Sequence, residues 1–86
     1  MDMKLKDFLI KLDGNANILL FDLKNETYLR DDTFSIVCTA NSLIRQCRHL
    51  NETIEKIDIE KNFAIIESNK QRKYIEKCFK IIVKGE

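Results

Sequence analysis

Residues 53–67, TIEKIDIEKNFAIIE, carry the pattern that most clearly indicates the fold. Isoleucines at 54, 57 and 59 alternate with charged residues, with one slip of phase near Lys56, and a second apolar run covers residues 63–66. Alternation with a period of two is typical of a half-buried strand. Lys61 and Asn62 lie between the two runs and favour a tight turn. The stretch therefore predicts a β-hairpin with strands over residues 53–60 and 63–67.

The segment before this hairpin predicts a helix, two strands and a second helix. Apolar residues at helical spacing and Gly14 as a left-handed stop predict the first helix over residues 3–13, and residues 17–22 form a short apolar run typical of a strand. Residues 33–39 are rich in β-branched side chains and predict the second strand, with a helix beginning near Thr33 as the alternative. Asn41 or Ser42 can cap the second helix. Its apolar stripe comprises Leu43, Ile44, Cys47 and Leu50.

The C-terminal segment predicts a third helix. Ser68 and Gln71 have the spacing of a capping box, and the helix would run to about Val83. Steps of three and four residues would align five lysines along one narrow stripe opposite the apolar side. These are Lys70, Lys73, Lys77, Lys80 and Lys84. The alternative is a final strand over residues 79–83, which would break the stripe beyond Lys77.

These elements predict one α+β domain over residues 1–86. The predicted order is α-β-β-α-β-β-α, with a four-stranded antiparallel sheet and the helices packed on one of its faces. The chain has 86 residues, of which 44% are hydrophobic and 34% charged, and this composition is typical of a folded protein with a single core.

The sequence also limits the cellular compartment that we expect and the cofactors that the protein could bind. The N-terminal segment lacks the long apolar core of a signal peptide or membrane span, so we expect a cytoplasmic protein. Three separated cysteines, Cys38, Cys47 and Cys78, lie in apolar stretches and predict buried thiols. With no CxxC pair and one histidine, the sequence predicts neither a metal site nor a cofactor.

The candidate binding residues are basic. Arg45, Arg48 and His49 would share the polar face of the second helix. Together with the five lysines of the predicted stripe they form a candidate contact surface, because residues 61–86 carry a net charge of +4 and residues 1–32 a net charge of −2. A polyanion would relieve the repulsion within the stripe. Alternatively, His49 could serve as the general base of a ribonuclease. Asp31 and Asp32 form a paired carboxylate that we interpret as turn residues.

The N-terminal residues Lys6-Asp7-Phe8-Leu9-Ile10-Lys11-Leu12-Asp13-Gly14-Asn15 carry a resemblance. They resemble the start of small uncharacterised proteins encoded by phages and prophages of Gram-positive bacteria. There, a helix end of this kind leads into a strand that ends in Asp, and a later acidic and apolar hairpin resembles residues 50–67. The resemblance implies a mobile-element accessory protein, and many such proteins inhibit host defence machinery, as anti-CRISPR proteins do. It supplies no functional residues.

Our hypothesis is a non-enzymatic phage or mobile-element binding protein. It would inhibit or modulate a host protein or nucleoprotein, such as a CRISPR-type defence complex. The alternative is a nucleic-acid-binding regulator that uses the basic C-terminal helix against phosphates, and a weaker alternative is a toxin-like ribonuclease centred on His49. A membrane partner is not expected, and a homodimer is compatible with the pattern.

Overall fold

The structure is a computed structural model that describes residues 3–66 and 72–85. Two helices and five strands form an α+β fold. In chain order they are α1 (Leu5–Leu9), β1 (Asn17–Asp22), β2 (Thr27–Tyr28), β3 (Val37–Thr39), α2 (Ala40–Gln46), β4 (Ile54–Ile66) and β5 (Arg72–Val83). The α+β class is confirmed, and β1 has the predicted bounds. No helix of the described residues is long and apolar enough to cross a membrane.

The sheet is mixed, not purely antiparallel. Its main path runs β2-β1-β5-β4, and β3 also pairs with β1. β1 and β5 are parallel, with Leu20 opposite Ile81, whereas β4 and β5 are antiparallel over almost their whole length. The predicted four-stranded antiparallel sheet is therefore wrong in strand number and in direction at its centre.

The predicted third helix is wrong, because residues 72–83 form the long strand β5. β5 lies between β1 and β4, and its residues 79–83 are hydrogen-bonded along both edges. Its last three residues are β-branched, and Ile81 and Val83 are fully buried against the helices. Two partner strands and this burial outweigh local helix propensity, which is a weak preference. The capping box that suggested the helix, Ser68 to Gln71, lies outside the described residues.

The predicted hairpin turn at Lys61 and Asn62 is also wrong. β4 continues through both residues, and Lys61 lies opposite Lys77 of β5. Asn62 has a φ of 53°, so the strand bends there without reversing. The slip of phase near Lys56 is a real feature, because the register shifts between Ile54 and Lys56 as in a β-bulge.

The remaining boundaries differ by a few residues. α1 ends at Leu9, and Gly14 does not have the left-handed conformation that was predicted for it. Asp13 forms the turn before β1 instead, because its Oδ1 accepts the backbone N–H of Asn15 at 2.9 Å. Of residues 33–39, only the last three form a strand. α2 is capped by Thr39, whose Oγ1 accepts the N–H of Ser42 at 3.1 Å.

Both helices pack on the same face of the sheet. Leu5 and Leu9 of α1 and Leu43 of α2 are buried against Ile18, Leu20, Ile54, Ile81 and Val83. A smaller cluster joins Leu19, Val37, Ile75 and Cys78. Leu19 alternates with Ile18 and Leu20 along β1 yet is also buried, so the centre of the sheet is covered on both faces.

All three thiols are buried, as predicted, and we expect them to be unreactive in the folded protein. Burial raises the pKa of Cys38 and of Cys78 to about 11, and it also raises the pKa of Cys47. Because the thiolate is the nucleophile, modification by a disulfide reagent at pH 8 should be at least about 100-fold slower than in denaturant. Rapid modification of any thiol in the folded protein would show that its cover opens readily.

Candidate functional site

The predicted basic surface does not exist as one stripe. In a strand, side chains separated by an odd number of residues point to opposite faces, so Lys77 and Lys80 diverge. The Lys77 ammonium lies 5.3 Å from the centre of the Phe79 ring, on the helix side of the sheet. Lys84 follows the end of β5, Lys73 lies in β5 opposite Ile65, and Lys70 lies outside the described residues.

The basic residues near α2 are also placed differently. α2 ends at Gln46, so Arg45 is in its last turn, and Arg48 and His49 lie in the turn that follows. Arg45 and Arg48 are exposed. His49 is only 4% exposed and therefore does not lie on a solvated helix face. Two members of the predicted contact surface remain accessible here, and the third is an internal residue.

His49 is held between two carboxylates. Its Nδ1 is paired with Oε2 of Glu52, and its Nε2 lies 4.0 Å from Oδ2 of Asp22. Glu52 Oε1 accepts the backbone N–H of Gly85 at 2.7 Å. Asp22 and Glu52 are themselves 4% and 8% exposed. The cluster therefore joins the end of β1, the turn after α2 and the segment after β5.

Asp22 also organises the turn that follows β1. Its Oδ2 accepts the Asn25 side-chain amide at 2.7 Å, and its Oδ1 accepts the N–H of Lys24 at 3.0 Å. The hydrogen bond from the Asn25 side chain lowers the pKa of Asp22. Gly85 is required beside it, because its φ is +80° and a Cβ there would overlap the Asp22 carboxylate.

The Nε2 atom of His49 is not exposed to a substrate in this arrangement. His49 Nε2 has no hydrogen-bond partner among the described residues and no appreciable accessible surface. A general base must come within hydrogen-bond reach of the proton that it removes. Catalysis by His49 would therefore require the cluster to open first. Within the described part of the chain, no three His, Cys, Asp or Glu residues are arranged to hold a metal ion.

Two surface pockets share Arg48, and one of them adjoins the cluster. A pocket of about 280 Å³ lies over His49 and is lined by Lys24, Asn25 and Arg48. A second pocket, of about 210 Å³, lies between α2 and the segment after β2 and is lined by Arg30 and Arg48 among others. Lys24, Arg30 and Arg48 are all exposed, and each of them lines at least one of these two pockets.

The loop beside the second pocket has a fixed conformation. Asp31 Oδ1 accepts the N–H of Thr33 at 2.8 Å, the hydroxyl of Thr33 at 2.6 Å and the N–H of Ser35 at 3.0 Å. Two backbone hydrogen bonds, from Phe34 to Asp31 and from Asp31 to Ser35, close the same loop. Interpreting Asp31 as a turn residue is therefore correct.

Phe34, at the tip of this loop, was not predicted as a site residue. It is 74% exposed and has a φ of 64°. The left-handed region costs a residue with a side chain about 1–2 kcal/mol. Arg30 donates from Nη1 to the Phe34 carbonyl at 2.9 Å, which ties the loop to the basic residues of the pocket. Among the side chains that the structure describes, the most exposed large apolar one is thus held in an unfavourable backbone conformation.

Comparisons with known proteins supply no further assignment. No protein family matches the chain, and no curated protein and no solved structure is similar to it. The candidate site consequently rests on its own geometry. It consists of Phe34 on its loop, Arg30, which donates to the Phe34 carbonyl, and Arg48 and Lys24, which line the two pockets, and it is called the Phe34 surface below.

Proposed function

We propose that this chain is a small binding protein that uses the Phe34 surface to hold a partner protein. The observation that supports this most directly is the combination of exposure and strain at Phe34. Strained residues persist only where the surrounding structure fixes them, and they concentrate at functional sites. An aromatic side chain on a fixed loop loses little entropy on binding and is a typical interface anchor.

The chemistry of the surface defines the partner. Phe34 would enter an apolar pocket, and the three cations would face an acidic rim around it. Charge pairs at an interface rim contribute mainly to the rate and specificity of association, so the aromatic anchor should supply most of the affinity. Arg48, from the predicted surface, keeps a role in this proposal, and Arg45 does not. Lys77, Lys80 and Lys84 are not part of the proposed contact surface.

The resemblance to phage and prophage accessory proteins suggests the class of partner. It implies that the partner is a macromolecule of the host, such as a nucleoprotein of a defence system, and that binding inhibits or modulates it. A nucleic-acid partner is favoured less, because the overall charge is only +1 and the cations are dispersed over the molecule.

Replacing Phe34 with glycine tests the proposal. Glycine adopts a φ of 64° without strain, so the free energy of unfolding should stay the same or rise by up to about 1 kcal/mol. Binding should nevertheless fall by more than about 30-fold, the effect of losing an interface anchor. The matched control is Ile10→Ala, which removes another exposed apolar side chain, 67% exposed, at the end of α1.

The measurement is a quantitative pull-down from the natural host, with and without nuclease, followed by affinity measurements on the purified partner. We expect one partner that wild type and Ile10→Ala retain, that Phe34→Gly loses and that nuclease does not release. Equal retention by Phe34→Gly would refute the proposal. A partner released by nuclease, with an affinity that falls steeply with salt, would instead favour the nucleic-acid hypothesis.

A further inference from the structure

The outer edge of β4 is the longest exposed feature of the sheet. β4 is the last strand on its side, and β5 occupies its inner edge. Residues 3 and 4 meet only its beginning, where Ile54 donates to the Met3 carbonyl at 2.9 Å and Lys4 pairs with Thr53. From Glu55 onward, no strand of the described residues pairs with this edge. Such an edge presents unpaired backbone N–H and C=O groups, which can join another strand.

The side chains along this edge form a self-complementary series. From Glu55 to Lys61 the charges run minus, plus, none, minus, none, minus, plus. When two copies run antiparallel about Asp58, Glu55 faces Lys61 of the second copy and Lys56 faces Glu60. The pairing also places Ile57 opposite Ile59. Opposite charges on facing positions stabilise an antiparallel pair, and like charges destabilise it.

We propose that the protein forms a symmetric homodimer in which the β4 edges of two copies pair antiparallel, centred on Asp58. Symmetry repeats each contact, so this register makes four pairs of opposite charge. The pairing would cover residues 55–61 of each copy, because Met3 and Lys4 occupy the edge beside Ile54 and Thr53, and it would join the sheets of both copies into one. A homodimer by this edge is independent of the Phe34 surface.

The charges select this register over its neighbours. Moving the partner by two residues along the strand in one direction puts Ile59 on the two-fold axis. This register places Asp58 opposite Glu60 twice. The opposite step, with Ile57 on the axis, keeps only the pairing of Lys56 with Asp58. A shift by a single residue along the strand would turn the apolar side chains of the partner to the other face.

Two features of the edge fit the register centred on Asp58. The facing Asp58 pair is the one like-charge contact of this register. Within each copy, the Lys56 ammonium lies 3.4 Å from the Asp58 carboxylate and offsets its charge. Ile59 is 52% exposed in the single chain, and Ile57 is half-buried on the same face. Pairing them across the axis would cover the apolar side chain that the monomer leaves in water.

The dimer would leave the Phe34 surface free. The loop that carries Phe34 joins β2 to β3, and both of these strands pair with the edge of β1 opposite to β5. Each copy would therefore present its Phe34 on the far side of the sheet from the dimer contact. Two linked copies can engage a repetitive partner with higher avidity than one.

Two opposite charge reversals test the proposal. Lys56→Glu makes residues 56 and 60 both acidic, and Glu60→Lys makes both basic. Each variant alone replaces two attractive contacts with repulsive ones, so its dimer should dissociate at least about tenfold more readily than the wild type. An equimolar mixture restores opposite charges at both contacts and should form a heterodimer. The control is Lys6→Glu, an equal change of charge on the exposed side of α1.

The measurements are sedimentation velocity over a range of concentrations and native mass spectrometry with one variant isotopically labelled. We expect a wild-type and a Lys6→Glu dimer, weakened self-association of each β4 variant, and a heterodimer in the mixture. Asp58→Asn should strengthen the dimer by removing the like-charge contact. A monomeric wild type at millimolar concentration would overturn the proposal. So would a dimer that the two reversals leave unchanged or a mixture without heterodimer.

Discussion

Replacing Ile81 with alanine is expected to lower the free energy of unfolding by about 4 kcal/mol. Ile81 has no exposed surface and lies in β5, between Leu20 of β1 and Ile57 of β4. It therefore belongs to the cluster that both helices cover. Truncation removes its buried methyl and methylene groups and leaves a cavity that surrounding strands cannot collapse to fill. Because a domain of this size is stable by only about 4–13 kcal/mol, this loss is a large part of the total.

Ile59→Ala is the matched control for this prediction. Ile59 is the same residue type on the same face of the sheet, one strand away, but it is 52% exposed. Its truncation at low protein concentration should cost less than about 1 kcal/mol. Urea denaturation followed by circular dichroism gives both values. Similar costs for the two variants would show that β5 does not occupy the centre of the sheet.

Replacing Glu52 with alanine should cost about 3 kcal/mol. Glu52 accepts from Gly85 with one oxygen and holds His49 Nδ1 with the other, so its loss leaves two buried polar groups without an acceptor. Each buried group left unsatisfied costs about 1–3 kcal/mol. The effect should be visible as a lower midpoint in urea at unchanged slope.

Two further variants separate the contributions to this effect. Glu52→Gln keeps a carbonyl for the Gly85 N–H and should recover part of the loss. In a double-mutant cycle with His49→Ala, the two losses should fall short of additivity by more than about 1 kcal/mol, because both remove the same contact. Glu76→Ala, on an exposed acid of β5, should cost less than about 0.5 kcal/mol. Additive losses in the cycle would show that the two side chains do not depend on each other.

The function of this cluster in our account is to fix the molecule beneath the Phe34 surface. Asp22, His49 and Glu52 hold the turn with Lys24 and Asn25 and the turn with Arg48 against the end of β5. A variant that loosens the cluster should therefore weaken partner binding less than Phe34→Gly does, because it disturbs the cations and leaves the anchor intact.

The sequence pattern located apolar and turn residues more reliably than it assigned element types. The buried cysteines, strand β1 and a helix over part of residues 41–50 follow from short-range patterns, and the structure contains them. Phe34 was missed because the β-branched residues around it predicted a strand. The Asp31 turn signal immediately before it was the available indication that the chain forms a loop at this point.

A local sequence pattern does not show which other strands a segment will pair with. Residues 72–83 have both helical spacing of lysines and a β-branched end, so their own sequence is compatible with either structure. β4 precedes β5 by a few residues and pairs along one edge of it, whereas β1 pairs with the other edge at residues 79–83 although most of the chain lies between them. His49 became an internal residue for the same reason, since its two carboxylates come from different segments.

By itself, the sequence determined a small α+β domain with buried thiols, because composition and the alternation or clustering of apolar residues are local properties. The tertiary structure alone decided that β5 is a central strand parallel to β1, that the lysines diverge, that His49 is enclosed by Asp22 and Glu52 and that Phe34 is exposed. These outcomes depend on pairing and burial between distant segments. Their free energies exceed the few tenths of a kcal/mol per residue by which local propensities differ.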